Sequence, residues 1–356
     1  MPGRADTPRG RPSVRAVGRA RYKAWAMRRP LVELHRGGLR VVNSALHLDA
    51  TRRVPCGFVS HAHGDHIARH ERTIATAATL ALVRHRLGTP KRSRAEQLPA
   101  AHRSPFGLCD LTLELFPAGH VLGSAQLRVT KGGLSLGYTG DLCTEPTEAA
   151  EPAEVMPCDV LVLESTFGLP RYVFPPKAEV LAAIRRFVDD ALADGVTPVL
   201  LAYALGKAQE ILKHFGDRGY RCATHPVVHG VNEVYEALGT RLPGVRALGP
   251  EGPEPGEVVV CPPHLARSPA MRVVRRRRTA VLTGWALDGA GAFRGVDAAF
   301  PLSDHADFPS LVAYAKATGA GRILTVHGQA DAFARALRRE GLRAEPLRQQ
   351  LQLELL

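Results

Sequence analysis

The sequence has few cysteines, and no two of them are spaced as a metal-binding pair. Six cysteines are scattered through 356 residues without any CxxC spacing. This excludes a disulfide framework and a cysteine-type zinc site, and it is typical of a reducing compartment. We therefore expect a cytoplasmic protein in which any metal is held by histidine and carboxylate side chains.

The sequence also lacks a long apolar run. No segment approaches the roughly 18 consecutive apolar residues that a membrane span needs, and the longest apolar stretches, such as 196–204, have the length of a strand. Hydrophobic residues make up 45% of the chain, as in ordinary globular proteins. We therefore expect no membrane partner, and at this length one large domain or two.

Acidic residues are scarce at the start of the chain. Residues 1–30 hold nine arginines or lysines against one acid, Asp6, so they carry +8 of the total charge of +13. They lack the apolar centre of a secretory signal. We interpret this segment as a basic disordered tail, with a nucleic-acid-binding arm and a targeting sequence as alternatives. The rest of the chain is still basic, which is compatible with a polyanionic substrate.

The pattern of the sequence changes twice after this tail. Short strands separated by turns come first, and helices then alternate with strands, which is typical of a parallel α/β unit. Apolar residues at helical spacing predict a helix over 177–193, and a later helix is expected from Asn232. The first pattern returns near Ser303. We therefore predict one domain, formed by residues 31–168 and completed by 302–356, that is interrupted by an inserted domain at 169–301. Within the insert, the Pro/Gly-rich stretch 243–256 indicates a surface loop.

One short segment concentrates residues that bind metals. The letters HAHGDH supply His61, His63, Asp65 and His66 just after a buried strand. In a loop that leads from a strand into a helix, the first two side chains can point one way and the last two the other. Imidazole and carboxylate are suited to zinc and similar ions. We therefore predict two adjacent metal ions at this loop.

Two further residues are expected to complete the ligand set. His120 in PAGHVLGSA and Asp141 in YTGDL each follow a strand and stand beside glycine, where the backbone can fold tightly around an ion. A carboxylate at Asp141 can bridge both ions and a hydroxide between them. Asp49 is a candidate for orienting a ligand histidine, with a capping or turn role as the alternative.

These motifs, in this order, resemble those of the metallo-β-lactamase fold hydrolases. Three later motifs, LESTFG around Glu164, LSDHAD around His305 and VHG around His327, resemble those of the β-CASP nucleases. The resemblance implies an α/β (α+β) fold in which an αββα sandwich carries an inserted α/β cap domain. The insert predicted above lies between Glu164 and His305, where the β-CASP group carries its cap.

The segments HVLGSAQ, LESTFGLPRYVFPP, LLAYALGKAQ, LTGW and LSDHADF are similar to those of the bacterial ligase-associated DNA exonucleases, a family also associated with mRNA 3′-end processing. This resemblance covers about residues 31–350. It implies two divalent metal ions, zinc with manganese as the alternative. One ion would be held by His61, His63 and His120, the other by Asp65, His66 and His327, with Asp141 between them. It also implies a functional association with a DNA ligase and a helicase.

The resemblance further implies that His305 lies near the scissile phosphate and is steadied by Glu164. That role suits the chemistry, because an imidazole can protonate the leaving oxygen while two cations activate water and stabilise the phosphoryl charge. Asp65, as a metal ligand, joins His305 and Glu164 in the predicted catalytic set. A helix-start histidine without a chemical role is the alternative for His305.

Candidate substrate contacts lie within the insert. Lys207 follows YALG at the start of a helix, where unpaired backbone N–H groups favour phosphate, but it could equally be a solvated lysine. The run Arg275, Arg276, Arg277 and Arg278 could hold a nucleic-acid backbone, with a solvated strand or turn as the alternative.

The favoured hypothesis is a metal-dependent DNA exonuclease that acts in ligase-associated repair. An RNA-processing exo- or endoribonuclease is the alternative, and His327 favours it because RNA-acting β-CASP enzymes tend to carry histidine there. A lactonase or thioesterase-type hydrolase of small esters is a third hypothesis, against which the insert and the motifs at Glu164 and His305 argue. A non-catalytic scaffold is the fourth, although no predicted metal ligand is missing.

Overall fold

The computed structural model describes residues 31–35, 37–88, 95–289, 293 and 295–348. The basic tail predicted for residues 1–30 lies outside these residues. Within them the chain forms nineteen strands, arranged in three sheets, and six α-helices. The helices are α1 (Ala77–Leu87), α2 (Lys177–Ala193), α3 (Lys207–Gly216), α4 (Pro226–Ala237), α5 (Phe308–Ala317) and α6 (Ala330–Arg339).

The first sheet follows the order of the chain. Its strands are β1 (Val32–His35), β2 (Gly38–Val41), β3 (Leu46–Leu48), β4 (Cys56–Phe58), β5 (Arg72–Ala75) and β6 (Glu96–Pro99). The first three strands pair antiparallel and the last four pair parallel.

The second sheet joins the first part of the chain to its last part. Its strands are β7 (Phe106–Leu108), β8 (Leu111–Pro117), β9 (Ala125–Lys131), β10 (Leu134–Tyr138), β11 (Val160–Glu164), β18 (Arg322–Val326) and β19 (Ala344–Pro346). Strands β7 to β10 form an antiparallel meander, and β10, β11, β18 and β19 are parallel. Every residue of β11 is buried, as expected for a central parallel strand with both faces covered.

These two sheets share one core. Side chains such as Phe58 and Ile74 of the first sheet pack with Leu127 and Val162 of the second in a single buried cluster. On its other face the second sheet packs against α5 and α6, where Phe333 is fully buried. The result is a mixed α/β structure consistent with a metallo-β-lactamase domain fold, which confirms the fold class predicted from the motifs.

The third sheet is formed by strands between Thr197 and Phe300. They are β12 (Thr197–Leu201), β13 (Arg221–Thr224), β14 (Val245–Ala247), β15 (Glu257–Cys261), β16 (Arg277–Leu282) and β17 (Ala298–Phe300). All pair parallel, in the order β14-β13-β15-β12-β16-β17. One face packs against α2, α3 and α4, and α4 in turn contacts α1, so one cluster links this unit to the sandwich. The domain limits 31–168, 169–301 and 302–356 remain a prediction.

The helix predicted over 177–193 from its apolar spacing is confirmed in full, because Val180, Ile184 and Val188 form one buried stripe. Two other expectations were wrong. The helix expected from Asn232 begins six residues earlier at Pro226, where the His225 ring accepts from the Val227 N–H. The stretch 243–256, expected to be a loop, contains the short strand β14.

None of the helices in the described part of the chain is long and apolar enough to cross a bilayer.

Candidate metal centre and cleft

The predicted metal-binding residues come together at one edge of the sandwich. His61, His120, Asp141 and His327 each follow closely the carboxyl end of a strand, namely β4, β8, β10 and β18. Glu164 is the last residue of β11, and His305 lies in the segment that leads into α5. Loops at strand ends can present polar side chains while the strands fix their positions.

Three histidines and one carboxylate converge most closely. The possible ligand atoms of His61, His63, His120 and Asp141 all lie within 4.8 Å of one another, and we call these four residues the metal group. The His63 Nδ1 atom is 3.1 Å from His61 Nε2 and 3.0 Å from His120 Nε2. An oxygen of Asp141 lies 3.4 Å from His61 Nε2 and 3.6 Å from His120 Nε2.

The second nitrogen of each of these rings is already held by a hydrogen-bond acceptor. His63 Nε2 donates to the Leu205 carbonyl at 3.2 Å, and His120 Nδ1 donates to the Asp304 carbonyl at 2.7 Å. His61 Nδ1 is 3.0 Å from Ser60 Oγ, which itself donates to Asp49. The protons therefore sit on the outer nitrogens and leave three lone pairs that face one another.

Three lone pairs and a carboxylate oxygen cannot hydrogen-bond to one another, but they fit a cation. Two nitrogens bound to a tetrahedral zinc at 2.0–2.1 Å are about 3.3 Å apart, close to the separations seen here. Burial lowers the pKa of His61 and His120 well below the usual value and that of His63 to about 4. These imidazoles are therefore neutral, which is the form that binds metal.

His66 faces the other side of Asp141. Its Nε2 atom lies 3.5 Å from an Asp141 oxygen, and its Nδ1 atom lies 2.8 Å from Asp49 Oδ2. Burial opposes the charged ring, yet the carboxylates of Asp141 and Asp49 raise the pKa of His66 to about 10. To act as a metal ligand, His66 would therefore release its Nε2 proton.

Asp49 holds His66 in place and is itself held by further hydrogen bonds. Besides His66 it accepts hydrogen bonds from the Ser60 N–H at 2.7 Å and from the Tyr138 hydroxyl at 2.7 Å. The carboxylate is buried, and its backbone adopts a positive φ of 47°. The backbone conformation and the hydrogen bonds together hold this carboxylate in one position, so it fixes the orientation of the ring that it contacts.

Asp65 and His327 lie beside His66 but further from the other ligand atoms. Asp65 Oδ2 is 3.8 Å from His66 Nε2, and the His327 ring centre is 5.8 Å from the His66 ring centre. Both side chains are exposed to the cleft, and neither joins the 4.8 Å groups found among the described residues. His327 has a φ of 60°, and its carbonyl accepts from Ser165 Oγ at 2.6 Å.

His305 lies between the metal group and Glu164. Its Nδ1 atom is 3.0 Å from Glu164 Oε1, and its Nε2 atom is 3.9 Å from Asp141 Oδ2. Burial disfavours the charge on Glu164, but His305 and the Leu142 N–H outweigh it and lower the pKa of the carboxyl. Conversely, burial lowers the pKa of His305, and Glu164 and Asp141 more than offset it.

Lys207 is buried, and its Nζ atom donates to Asp304 Oδ1 at 2.6 Å. Asp304 also accepts from His120 through its backbone carbonyl. The first turn of α3 is thereby tied to a histidine of the metal group. Lys207 lines the cleft, and the phosphate contact expected for it stays a prediction.

The arginine run at 275–278, expected to hold nucleic acid, lies outside the cleft. Arg277 and Arg278 begin β16, whose opposite end leads to Thr283 in the cleft. Five residues of strand span about 16 Å, so residues 275–278 lie at the far edge of the third sheet and do not line the cleft. Arg278 is paired with Asp194 at 2.7 Å. These arginines therefore lie away from the metal-binding residues, and the contact with a nucleic-acid backbone expected for them stays a prediction.

His63 and Asp141 of the metal group line a cleft of about 1120 Å³. One wall is formed by residues of the sandwich, such as Asp65 and Thr166, and the other by residues near the third sheet, such as Tyr203 and Trp285. Small-molecule pockets usually measure about 300–1,000 Å³, so the cleft is large for a small substrate.

Comparison with known proteins agrees with this geometry. Residues 30–190 match the family model described as a beta-lactamase superfamily domain. The HAHGDH loop, His120, Asp141 and Glu164 all fall within the matched range. The family match and the clusters of histidine and aspartate together describe a site suited to divalent metals.

Three relatives carry names that concern nucleic acid. A "Probable DNA ligase" of Opitutus terrae is 40% identical over 325 residues, which are 89% of this chain and 31% of that protein. An "Endoribonuclease ysh1" of Aspergillus fumigatus is 41% identical over 100 residues, 27% of this chain and 11% of that protein. An "RNase J-like protein" of Methanocaldococcus jannaschii is 30% identical over 105 residues, 29% of this chain and 25% of that protein. The chain thus spans less than a third of each.

Several residues that shape the site were missed in the sequence. Ser60, Tyr138 and Asp304 hold the candidate ligand histidines either directly or through Asp49. Asp304 is adjacent to His305, and Ser60 is adjacent to His61, so position next to a motif was the available signal. Tyr138 gave no such signal, because it reads as an ordinary buried strand residue.

Proposed function

We propose that this chain is a metal-dependent nuclease that hydrolyses phosphodiester bonds, and specifically a DNA exonuclease of ligase-associated repair. The convergence of three imidazole lone pairs and the Asp141 carboxylate, next to a paired His305, is the observation that carries the proposal. The identity to part of a "Probable DNA ligase" supports DNA as substrate and a ligase as functional partner. We propose a helicase as a second partner.

In this proposal His61, His63 and His120 hold one divalent ion and Asp65, His66 and His327 the other, with Asp141 shared. Two ions, zinc or manganese, would supply an activated water and stabilise the charge on the phosphoryl oxygens. We further propose that residues 169–301 form the β-CASP cap, that nucleic acid lies between cap and sandwich, and that the protein acts in the cytoplasm.

The chain's own side chains would handle the proton. Glu164 accepts from His305 Nδ1, which fixes the tautomer and leaves Nε2 directed toward Asp141 and the cleft. By raising the pKa of His305, Glu164 and Asp141 keep on the ring the proton that a general acid needs. His305 Nε2 would donate this proton to the leaving oxygen of the cleaved phosphodiester.

An RNA-processing nuclease is the second candidate, and the names of the endoribonuclease and RNase J-like relatives favour it. Matched DNA and RNA oligonucleotides, labelled at the 5′ or the 3′ end, separate the two. The metal-reconstituted protein should shorten DNA from one end, in single-nucleotide steps. Faster cleavage of RNA than of DNA would favour the second candidate, and internal cuts would exclude exonuclease action.

A further inference from the structure

Two aromatic side chains in the cleft are exposed without a partner on one side. Of the seven large hydrophobic side chains that are exposed among the described residues, Tyr203 and Trp285 are the aromatic ones. Tyr203 is 53% exposed and Trp285 is 37% exposed, and both line the cleft that contains the metal group. Tyrosine and tryptophan are enriched at binding interfaces, because each side chain combines a large apolar ring with a polar group.

The third sheet places these two residues just after the ends of neighbouring strands. Strands β12 and β16 are parallel neighbours, with Leu201 opposite Val281. Tyr203 follows the first strand by two residues, and Trp285 follows Thr283, the residue level with Tyr203 on the second strand. Adjacent strands lie about 4.8 Å apart. The two aromatic residues therefore follow the carboxyl ends of neighbouring strands, and both line the cleft.

Trp285 is held from behind by other rings. Its ring centre lies 4.6 Å from that of Phe167 and 5.5 Å from that of Tyr172, both of which are buried. A Cβ atom at Gly284 would lie 2.5 Å from the Phe167 ring, so the glycine allows this close packing. The indole is thus fixed in position and can receive a second ring without the entropy cost of ordering a mobile side chain.

The fixed indole lies close to the reacting centre. Phe167, which packs on Trp285, also lies against His305 with 6.1 Å between ring centres. These two ring separations, 4.6 Å and 6.1 Å, place the indole within about 11 Å of the His305 ring. Nucleotides in a B-form strand rise about 3.4 Å each, so at most about three nucleotides separate the indole from the reacting phosphate.

Tyr203 also has a charged neighbour. The ammonium of Lys207 lies 5.4 Å from the centre of the Tyr203 ring, within cation–π range. Because this ammonium is buried and paired with Asp304, the exposed ring is the part of the contact that can meet a nucleotide. Stacking of bases on aromatic side chains tolerates any sequence, because every base has a π-face.

We propose that Trp285, with Tyr203 in the same cleft, is a stacking platform for an unpaired nucleobase within about three nucleotides of the cleaved bond. The platform requires a base that is free of its complementary strand, so substrate would enter the cleft single-stranded. This inference rests on the proposed nuclease function and adds the form of nucleic acid that the site accepts.

Tryptophan fluorescence tests the platform without any cleavage. The sequence contains two tryptophans, Trp25 and Trp285, so a Trp25→Phe variant reports on Trp285 alone. In chelator, a single-stranded oligonucleotide should quench this fluorescence to saturation. The same sugar–phosphate chain without bases, and a blunt duplex, should not. Unchanged fluorescence on binding of the single strand would overturn the platform.

Cleavage kinetics give the second test. Oligonucleotides that lack one base, at successive positions from the cleaved end, should lose about 5- to 150-fold in kcat/KM at one position, the range expected for a lost base stack. Trp285→Ala should abolish this position dependence, whereas Trp285→Phe should retain it. Leu34→Ala is the control, because Leu34 is equally exposed at 39% and lies outside the cleft. The same penalty in Trp285→Ala as in wild type would contradict the platform.

The two tests separate this inference from the proposed function. Quenching by single strands without cleavage of any oligonucleotide would disprove the nuclease and leave the platform standing. Cleavage without quenching, with an unchanged penalty in Trp285→Ala, would disprove the platform and leave the nuclease standing.

Discussion

Glu164 and His305 are 141 residues apart in the chain, yet His305 Nδ1 lies 3.0 Å from Glu164 Oε1. The carboxylate is fully buried and also accepts from the Leu142 N–H at 2.7 Å. A buried, ionised partner fixes the His305 tautomer, so the opposite nitrogen is the one that can act on a substrate.

This pair predicts how two variants will behave. His305→Ala should lose roughly 10²–10⁴ in turnover, the usual contribution of a positioned general acid, while both metal ions and substrate binding are retained. A nitrophenyl phosphodiester, whose leaving group needs no proton, should recover much of that loss. Glu164→Gln should show the same dependence on the leaving group to a smaller extent. Equal defects on activated and natural esters, or loss of metal in His305→Ala, would disprove the acid role.

Metal content tests the ligand assignments independently of turnover. After chelation and reconstitution with zinc, elemental analysis should find two ions per wild-type chain. His63→Ala and His327→Ala should each bind less metal, because each removes a nitrogen from one proposed ion. His264→Ala is the matched control, since His264 lines the same cleft outside the ligand groups of the described residues. At most one ion in the saturated wild-type protein would contradict a dinuclear site.

Lys207 and Lys213 belong to the same helix but differ in burial. Lys207 is paired with Asp304 in the protein interior, whereas the pair of Lys213 with Asp217 lies near the surface. Removing one partner of a buried pair costs about 3–5 kcal/mol, but a surface pair contributes about 0–1 kcal/mol. Urea unfolding should therefore show a large loss of stability for Lys207→Met and a small one for Lys213→Met. Equal losses would show that the Lys207 pair does not stabilise the fold.

The Glu257 carboxyl, which lies outside the proposed metal site, should make the free energy of unfolding depend on pH. Burial disfavours its charge, but the bidentate hydrogen bonds from Arg246 outweigh burial and lower the pKa of the carboxyl. Because the pKa of this carboxyl is lower in the folded state than the unfolded-state value of 4.5, its ionisation stabilises the folded protein at pH values above 4.5. That stabilisation is lost as the pH falls through the folded-state pKa. Glu257→Gln should therefore cost about 1.5–3 kcal/mol at pH 7, and the difference from wild type should narrow at pH 3.

Glu254→Gln serves as the control for this measurement, because Glu254 pairs with Arg221 at the surface. Its unfolding free energy should differ from wild type by less than about 1 kcal/mol at either pH. A difference for Glu257→Gln that stays constant between pH 7 and pH 3 would disprove the depressed pKa.

The sequence predicted best the elements whose pattern repeats. Helix α2 has a single apolar stripe, and its limits were predicted to the residue, whereas α4 was predicted to begin too late. Val227 and Val228, in the first turn of α4, are β-branched and favour a strand by propensity. Strand β14 was missed because its three residues lie in a Pro/Gly-rich stretch and are ordered by pairing with β13.

For the site, local motifs named residues that the fold then brought together, as for His61, His120 and Asp141. The contact between Lys207 and Asp304 could not be predicted, because 97 residues separate the two side chains. The position of the arginines at 275–278, outside the cleft, could not be predicted either, because charge alone does not specify which end of a strand faces the site. Both limits have one cause, the absence of long-range geometry from a single sequence.

A comparison of the rates at which the protein hydrolyses oligonucleotides and small esters tests the central claim most directly. Zinc- or manganese-reconstituted protein should release nucleotides from labelled oligonucleotides. Asp141→Asn, which loses the carboxylate shared between the two proposed ions, should reduce this release by at least about 10². Lactones and thioesters should be turned over slowly or not at all. Faster turnover of any lactone or thioester than of every oligonucleotide, or full oligonucleotide cleavage by Asp141→Asn, would contradict a two-metal nuclease at this site.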